Sequence, residues 1–139
     1  MDYTKTAKGI LRYYKLSRYA SFEVVDGEGT TGVQHYREGL EVKSSGIFFL
    51  GSLRKVYREE RKRYTSRFGV YHNFKSFFIL TVLHELCHVR QVQGLGPEAI
   101  AKAYRTVFDK ISHDENVLEI EADTFARTEF SKLWRDKVL

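Results

Sequence analysis

The sequence predicts an α+β domain in which a small, mostly antiparallel sheet packs on one central helix, with further helices around it. Three observations predict it. Between residues 21 and 51, β-branched and aromatic residues are interrupted at short intervals by polar, glycine-containing turns, the pattern of strands joined by tight connections. From residue 74 to 93 apolar side chains cover nearly the whole helical wheel, which suits a helix enclosed on all sides. Elsewhere apolar residues recur every three or four positions with charge on the opposite face, as on helices packed by one side. With 139 residues, 42% hydrophobic, ten Phe and nine Tyr, residues 1–139 read as one domain able to bury a core.

The first helix is expected over residues 2–16, where Tyr3, Ala7, Ile10, Leu11 and Tyr14 share a face and lysines with Arg12 take the other. Strands follow near residues 22–25, 32–36, 40–43 and 47–50, separated by Asp26-Gly27-Glu28-Gly29, Arg37-Glu38-Gly39 and Ser44-Ser45-Gly46. They read as an antiparallel meander in which His35 is a packing or surface residue. A second helix over residues 52–67 sets Leu53, Val56, Tyr57 and Tyr64 against seven cations. With Glu59 and Glu60 that segment has a net charge of +5, equal to that of the whole chain. Such a helix is either a solvated face with i,i+4 pairing or a phosphate-binding surface, so nucleic acid is a candidate partner there.

The helix over residues 74–93 ends at Gly94-Leu95-Gly96-Pro97, a glycine stop followed by a proline start. Ile100, Ala103, Tyr104, Val107 and Ile111 give the next helix its stripe, ending near Lys110. The run Ser112-His113-Asp114-Glu115 is a capping box opening a last helix over residues 116–137.

The chemistry concentrates in His84-Glu85-Leu86-Cys87-His88. On a helix, His84 and His88 lie about 40° apart and about 6 Å along the axis, so both imidazoles reach one metal ion, and zinc takes nitrogen at about 2.0 to 2.1 Å. Glu85 projects about 60° from His88, near enough to meet a water on that ion without ligating it, the position of a general base. Two histidines and a glutamate inside an apolar helix also need partners, since an unpaired buried carboxylate costs several kcal/mol. The single cysteine, Cys87, excludes an internal disulfide and reads as a small core residue rather than a ligand.

A catalytic zinc takes three protein ligands and leaves one position open, so a third ligand has to come from elsewhere, and Glu119, Glu121 and His113 are the candidates. The stripe Leu118, Ala122, Phe125, Ala126, Phe130 and Leu133 puts Glu119 about 50° from its centre and Glu121 about 110° away, towards solvent, which selects Glu119. Asp123, one turn on, is placed to accept a proton from the outer nitrogen of a liganding histidine. Glu129 points inward with no partner evident in the sequence.

These residues resemble the glutamate-ligand zincin metallopeptidases, and most closely the ImmA/IrrE-like family, in which a similar E-x-x-A-(N or D)-x-F-A run follows the motif helix. The likeness covers residues 77–130. It implies a zincin-like domain with His84, His88 and Glu119 on Zn2+, Glu85 as base, Asp123 orienting a ligand, and hydrolysis of a protein or peptide, some relatives acting on regulatory repressors. Tyr71, His72, Tyr104 and His113 are the candidate oxyanion donors by residue type, and the strand at residues 47–50 the expected edge for an added peptide strand. The other reading is a nucleic-acid-binding or regulatory protein with a structural zinc and the basic helix at 52–67 as its contact surface. No run of 18 uncharged apolar residues occurs and the first residues lack a signal-peptide stretch, so a cytoplasmic protein away from the membrane is expected.

Overall fold

The computed structural model describes residues 2–62, 73–100 and 117–136. The expected capping box at 112–115, most of the helix before it, and Tyr64, Tyr71, His72, Tyr104 and His113 lie outside those residues.

Helix α1 (Tyr3–Tyr13) starts where Asp2 Oδ1 accepts from the Lys5 backbone N–H at 3.0 Å, relieving one orphan donor of the first turn. It stops in a paired closure: Lys15, at φ 59°, donates its N–H to Arg12 O, and the Leu16 N–H reaches Leu11 O at 3.0 Å. Its buried residues are Ala7, Ile10 and Leu11, as the spacing implied.

Three strands follow among the described residues: β1 (Ala20–Val25), β2 (Gly32–Glu38) and β3 (Glu41–Phe49), in the order β1-β3-β2. β2 and β3 form an antiparallel hairpin closed through Gly39, at φ 65°, and Leu40. β1 pairs with β3 in parallel. The expected meander is therefore a mixed sheet, and the two strands read at 40–43 and 47–50 are one.

Ser44-Ser45-Gly46 makes no turn because Ser44 and Gly46 each have a packing reason to lie in a strand, with Ser45 exposed between them. Ser44 is buried and its hydroxyl meets His35 Nδ1 at 2.7 Å. Gly46 lies opposite Phe22, whose ring would be 2.6 Å from any Cβ placed there. The link from β1 to β2 passes the C-terminal end of β3, held by Phe49 N–H to Thr31 Oγ1 at 3.0 Å and Gly51 N–H to Gly27 O at 2.8 Å. Gly51 is obligatory in that crossing, since its Cβ would sit 2.5 Å from Gly27 O. Because β3 is the central strand, paired on both sides, the peptide-docking edge expected at 47–50 is not available; β2 is an outer strand instead.

Helix α2 (Leu50–Lys62) buries Leu53 and Tyr57, but Val56, expected on the same face, is 46% exposed. Helix α3 (Phe74–Leu95) is capped by Asn73, whose side chain accepts from Ser76 N–H at 2.8 Å, and ends at Gly96, at φ 88°, two residues beyond the expected stop. It is buried on every side: Phe48 from the sheet and Tyr3 from α1 stack on Phe78, while Tyr57 of α2 stacks on Phe77. Helix α4 (Val117–Arg135) runs antiparallel to α3, with the fully buried Ala122 and Ala126 allowing close approach.

Candidate metal centre

The centre lies between α3 and α4, where two helical periodicities meet. His84 and His88, one turn apart on α3, direct their Nε2 atoms to the same point, 3.2 Å from each other. From α4, Glu119 brings one oxygen to 3.0 Å from His84 Nε2 and the other to 3.1 Å from His88 Nε2. The side chains of His84 and Glu119 are 3% and 6% exposed, so these groups meet away from bulk water. Each offers one ligand atom, all within 4.8 Å of one another, and the three could hold a metal ion.

The outer nitrogens decide what the inner ones can do. His84 Nδ1 is 2.7 Å from Asp123 Oδ1, an ion-pair distance although the ring is not aligned for a straight hydrogen bond. His88 Nδ1 is 2.7 Å from Gln91 Oε1. The Gln91 amide has a fixed sense, because its nitrogen donates to Leu118 O at 3.0 Å and to Glu121 Oε1 at 3.1 Å. Its oxygen is therefore the atom facing His88. Gln91 Oε1 meets His88 Nδ1 and Asp123 stands at ion-pair distance from His84 Nδ1, so each ring has an acceptor behind it while its Nε2 faces the Glu119 carboxylate. With the protons on the outer nitrogens, two lone pairs and a carboxylate would meet in a buried space, an arrangement that a cation among them would satisfy. Two imidazole nitrogens and a carboxylate are a donor set that could hold a metal ion, with Asp123 and Gln91 behind the rings.

The other expected residues fall as follows. Asp123 stands beside His84, where one turn of helix after Glu119 put it. Glu85 is partly exposed and borders a cavity of about 130 Å³ between α2, α3 and Thr31, with Val56, Phe77 and Thr81 in its wall. Glu121 is exposed, as expected, but it is not idle, since it holds the Gln91 amide. Cys87 is buried 3.8 Å from Glu121 Oε1, and burial, then that carboxylate, pushes its thiol up to about 12, so it is no thiolate ligand. Glu129, unexplained by the sequence, accepts from the Tyr14 hydroxyl at 3.1 Å and pairs with Lys132 at 3.0 Å. His35 is half-buried on Ser44; burial first, and then the nearness of His88, keep its pKa below the ordinary histidine value.

Gln91 is the residue the sequence reading missed. The signal available was a polar side chain on a buried helix, three residues after His88. No protein-family model, curated protein or solved structure matches the chain.

Proposed function

We propose that the chain is a zinc-dependent metallopeptidase of the kind its motifs resemble, with His84, His88 and Glu119 as ligands, Glu85 as general base and a protein or peptide as substrate. The observation that supports this reading is the convergence of His84, His88 and Glu119 in one buried place, with Gln91 behind the His88 ring and Asp123 behind that of His84. Two imidazoles and a carboxylate with a fourth position open are the ligand set of catalytic zinc. When bound, such a cation supplies Lewis acidity, lowering the pKa of a coordinated water towards about 7 and polarising a carbonyl.

The protein's own residues do the rest. Glu85, one residue after His84 and directed to the cavity rather than to Glu119, takes the proton from the attacking water and delivers it to the leaving nitrogen as the amide bond breaks. Asp123 and Gln91 keep both rings in register through that cycle. β2 is an outer strand that packs against α3, and an extended peptide would pair along it.

The alternative, a structural zinc protein contacting nucleic acid through 52–67, asks for a fourth protein ligand. Among the described residues three donors converge and Cys87 is not one of them, while His113 lies outside those residues. No helix among the described residues is long and apolar enough to cross a membrane. The experiment is Glu85→Gln: the amide preserves shape and removes the base, so the variant should keep about one zinc per chain and lose peptide hydrolysis by about 10²-fold or more. Full activity in Glu85→Gln would sink the mechanism, and native protein purified with no affinity for zinc would sink the site.

A further inference from the structure

Outside the metal centre, the outer face of α1 carries an unbalanced charge. Residues 3–22 contain five cations and no carboxylate, in a chain with 18 acidic residues. The segment is invisible in the charge balance because the chain outside 52–67 sums to neutral, but the fold collects its cations on one side. Lys5, Lys8 and Arg12 stand one helical turn apart along the exposed face of α1, opposite buried Ala7, Ile10 and Leu11.

That face is recessed as well as charged. A cavity of about 290 Å³ lies between α1 and α3, with Lys5, Arg12 and Lys75 around it, the hydroxyl-bearing Thr6 at its side and Gly9 leaving room for a ligand to approach the helix backbone. On the other flank of Arg12 a second cavity, of about 270 Å³, is bordered by Lys8, Ser17 and Ser21. Among the described residues neither cavity has an acidic residue in its wall, and none of these four cations pairs with a carboxylate. By contrast Arg18 pairs with Glu41, Lys55 with Glu28 and Lys132 with Glu129. The basic face continues onto α2 through Arg54, which lies over the rings of Tyr3 and Phe74.

We infer that the α1 face, from Lys75 across Lys5 to Arg12 and Lys8, binds the phosphodiester backbone of a nucleic acid. Four cations, with the Ser17 and Ser21 hydroxyls beside Lys8 and Arg12, suit phosphate oxygens. Lys5 and Arg12 are about 10 Å apart along the helix, over which one strand of a duplex presents about three phosphates. An anionic membrane is the weaker match, since a helix that lies on a bilayer needs an exposed apolar face and that of α1 is turned into the core. The contact is to backbone, so it carries charge dependence and little sequence preference.

The test is fluorescence anisotropy of a labelled 30-base-pair mixed-sequence duplex, and of one of its strands, between 50 and 200 mM salt, on the native chain and on Glu85→Gln alike so that the outcome is independent of peptidase activity. Three or four neutralised phosphates give a slope of log affinity against log salt of about −3. The combined Lys5→Gln, Arg12→Gln, Lys75→Gln variant should bind at least tenfold more weakly and lose about two to three units of that slope. A paired-cation control, Lys55→Gln with Lys132→Gln, should stay within about twofold of native. If the combined variant unfolds at a lower temperature, the single Lys5→Gln and Lys75→Gln variants replace it, each expected to weaken binding about threefold and lower the slope by about one. Duplex and strand affinities unchanged by these substitutions, no binding to either, or binding only to vesicles of phosphatidylserine and phosphatidylcholine, would overturn the inference.

Discussion

At the scale of single residues, the centre depends on Gln91 as much as on its ligands. Its amide nitrogen is held by Leu118 O and Glu121 Oε1, which turns its oxygen to His88 Nδ1 and so fixes the proton on the outer nitrogen. Gln91→Ala should weaken zinc binding about 10- to 100-fold, measured by competition with a chromophoric chelator, while Glu121→Ala, which leaves the Leu118 contact in place, should weaken it by about threefold or less. Glu119→Ala should abolish stoichiometric zinc. An equal loss in the two orienting variants would mean that the amide is held by Glu121 alone, and no loss in Gln91→Ala would remove it from the centre. The convergence of His84, His88 and Glu119, with Asp123 beside His84, was legible in the sequence because it follows from the helical period. Gln91 was not, because what makes it matter is a backbone carbonyl and a carboxylate on another helix.

At the scale of elements, α1, α3 and the presence of a small sheet were legible, and the pairing of its strands was not. Apolar spacing set the inner faces of α1 and α3, though α3 runs on to Gly96. Strand pairing instead follows from contacts between segments, and Ser44-Ser45-Gly46 carried the composition of a turn while serving as room for Phe22 and a partner for His35. Parallel pairing of β1 with β3 has no local signature at all. The reading of Gly46 is checked by Gly46→Ala: the new methyl would meet the Phe22 ring at 2.6 Å, and Phe22, only 2% exposed, has little room to turn. Overpacking of that kind costs about 1 to 3 kcal/mol, to be read as a lowered midpoint in thermal or urea unfolding. An unchanged midpoint would mean that the ring yields. Val56 was misplaced for a related reason: the period put it beside Leu53 and Tyr57, but the neighbouring wall of α3 opens into the cavity at Glu85 instead of closing on it.

At the scale of the molecule, α3 is the axis on which everything else is mounted, and its one polar face is the centre it shares with α4. Were a cation bound there, removing it would leave the buried Glu119 carboxylate without that charge, so metal and fold would be linked. At free zinc a hundredfold above its Kd, the ion adds about 2.7 kcal/mol of stability, which for a chain of this size is about 10 °C in melting temperature. Scanning calorimetry with and without a strong chelator measures it; a midpoint indifferent to chelator, in protein shown to have contained zinc, would count against the linkage. The same geometry has a topological meaning. His88 and Glu119 are separated in sequence by residues 89–118, so an ion shared between them is a cross-link closing that loop, in a chain whose single cysteine rules out a covalent one. Loop closure depends only weakly on length, about 0.6 kcal/mol for each doubling. An ion shared there would therefore restrict the unfolded chain much as a disulfide does, and the restriction would change little with the length of the segment it closes.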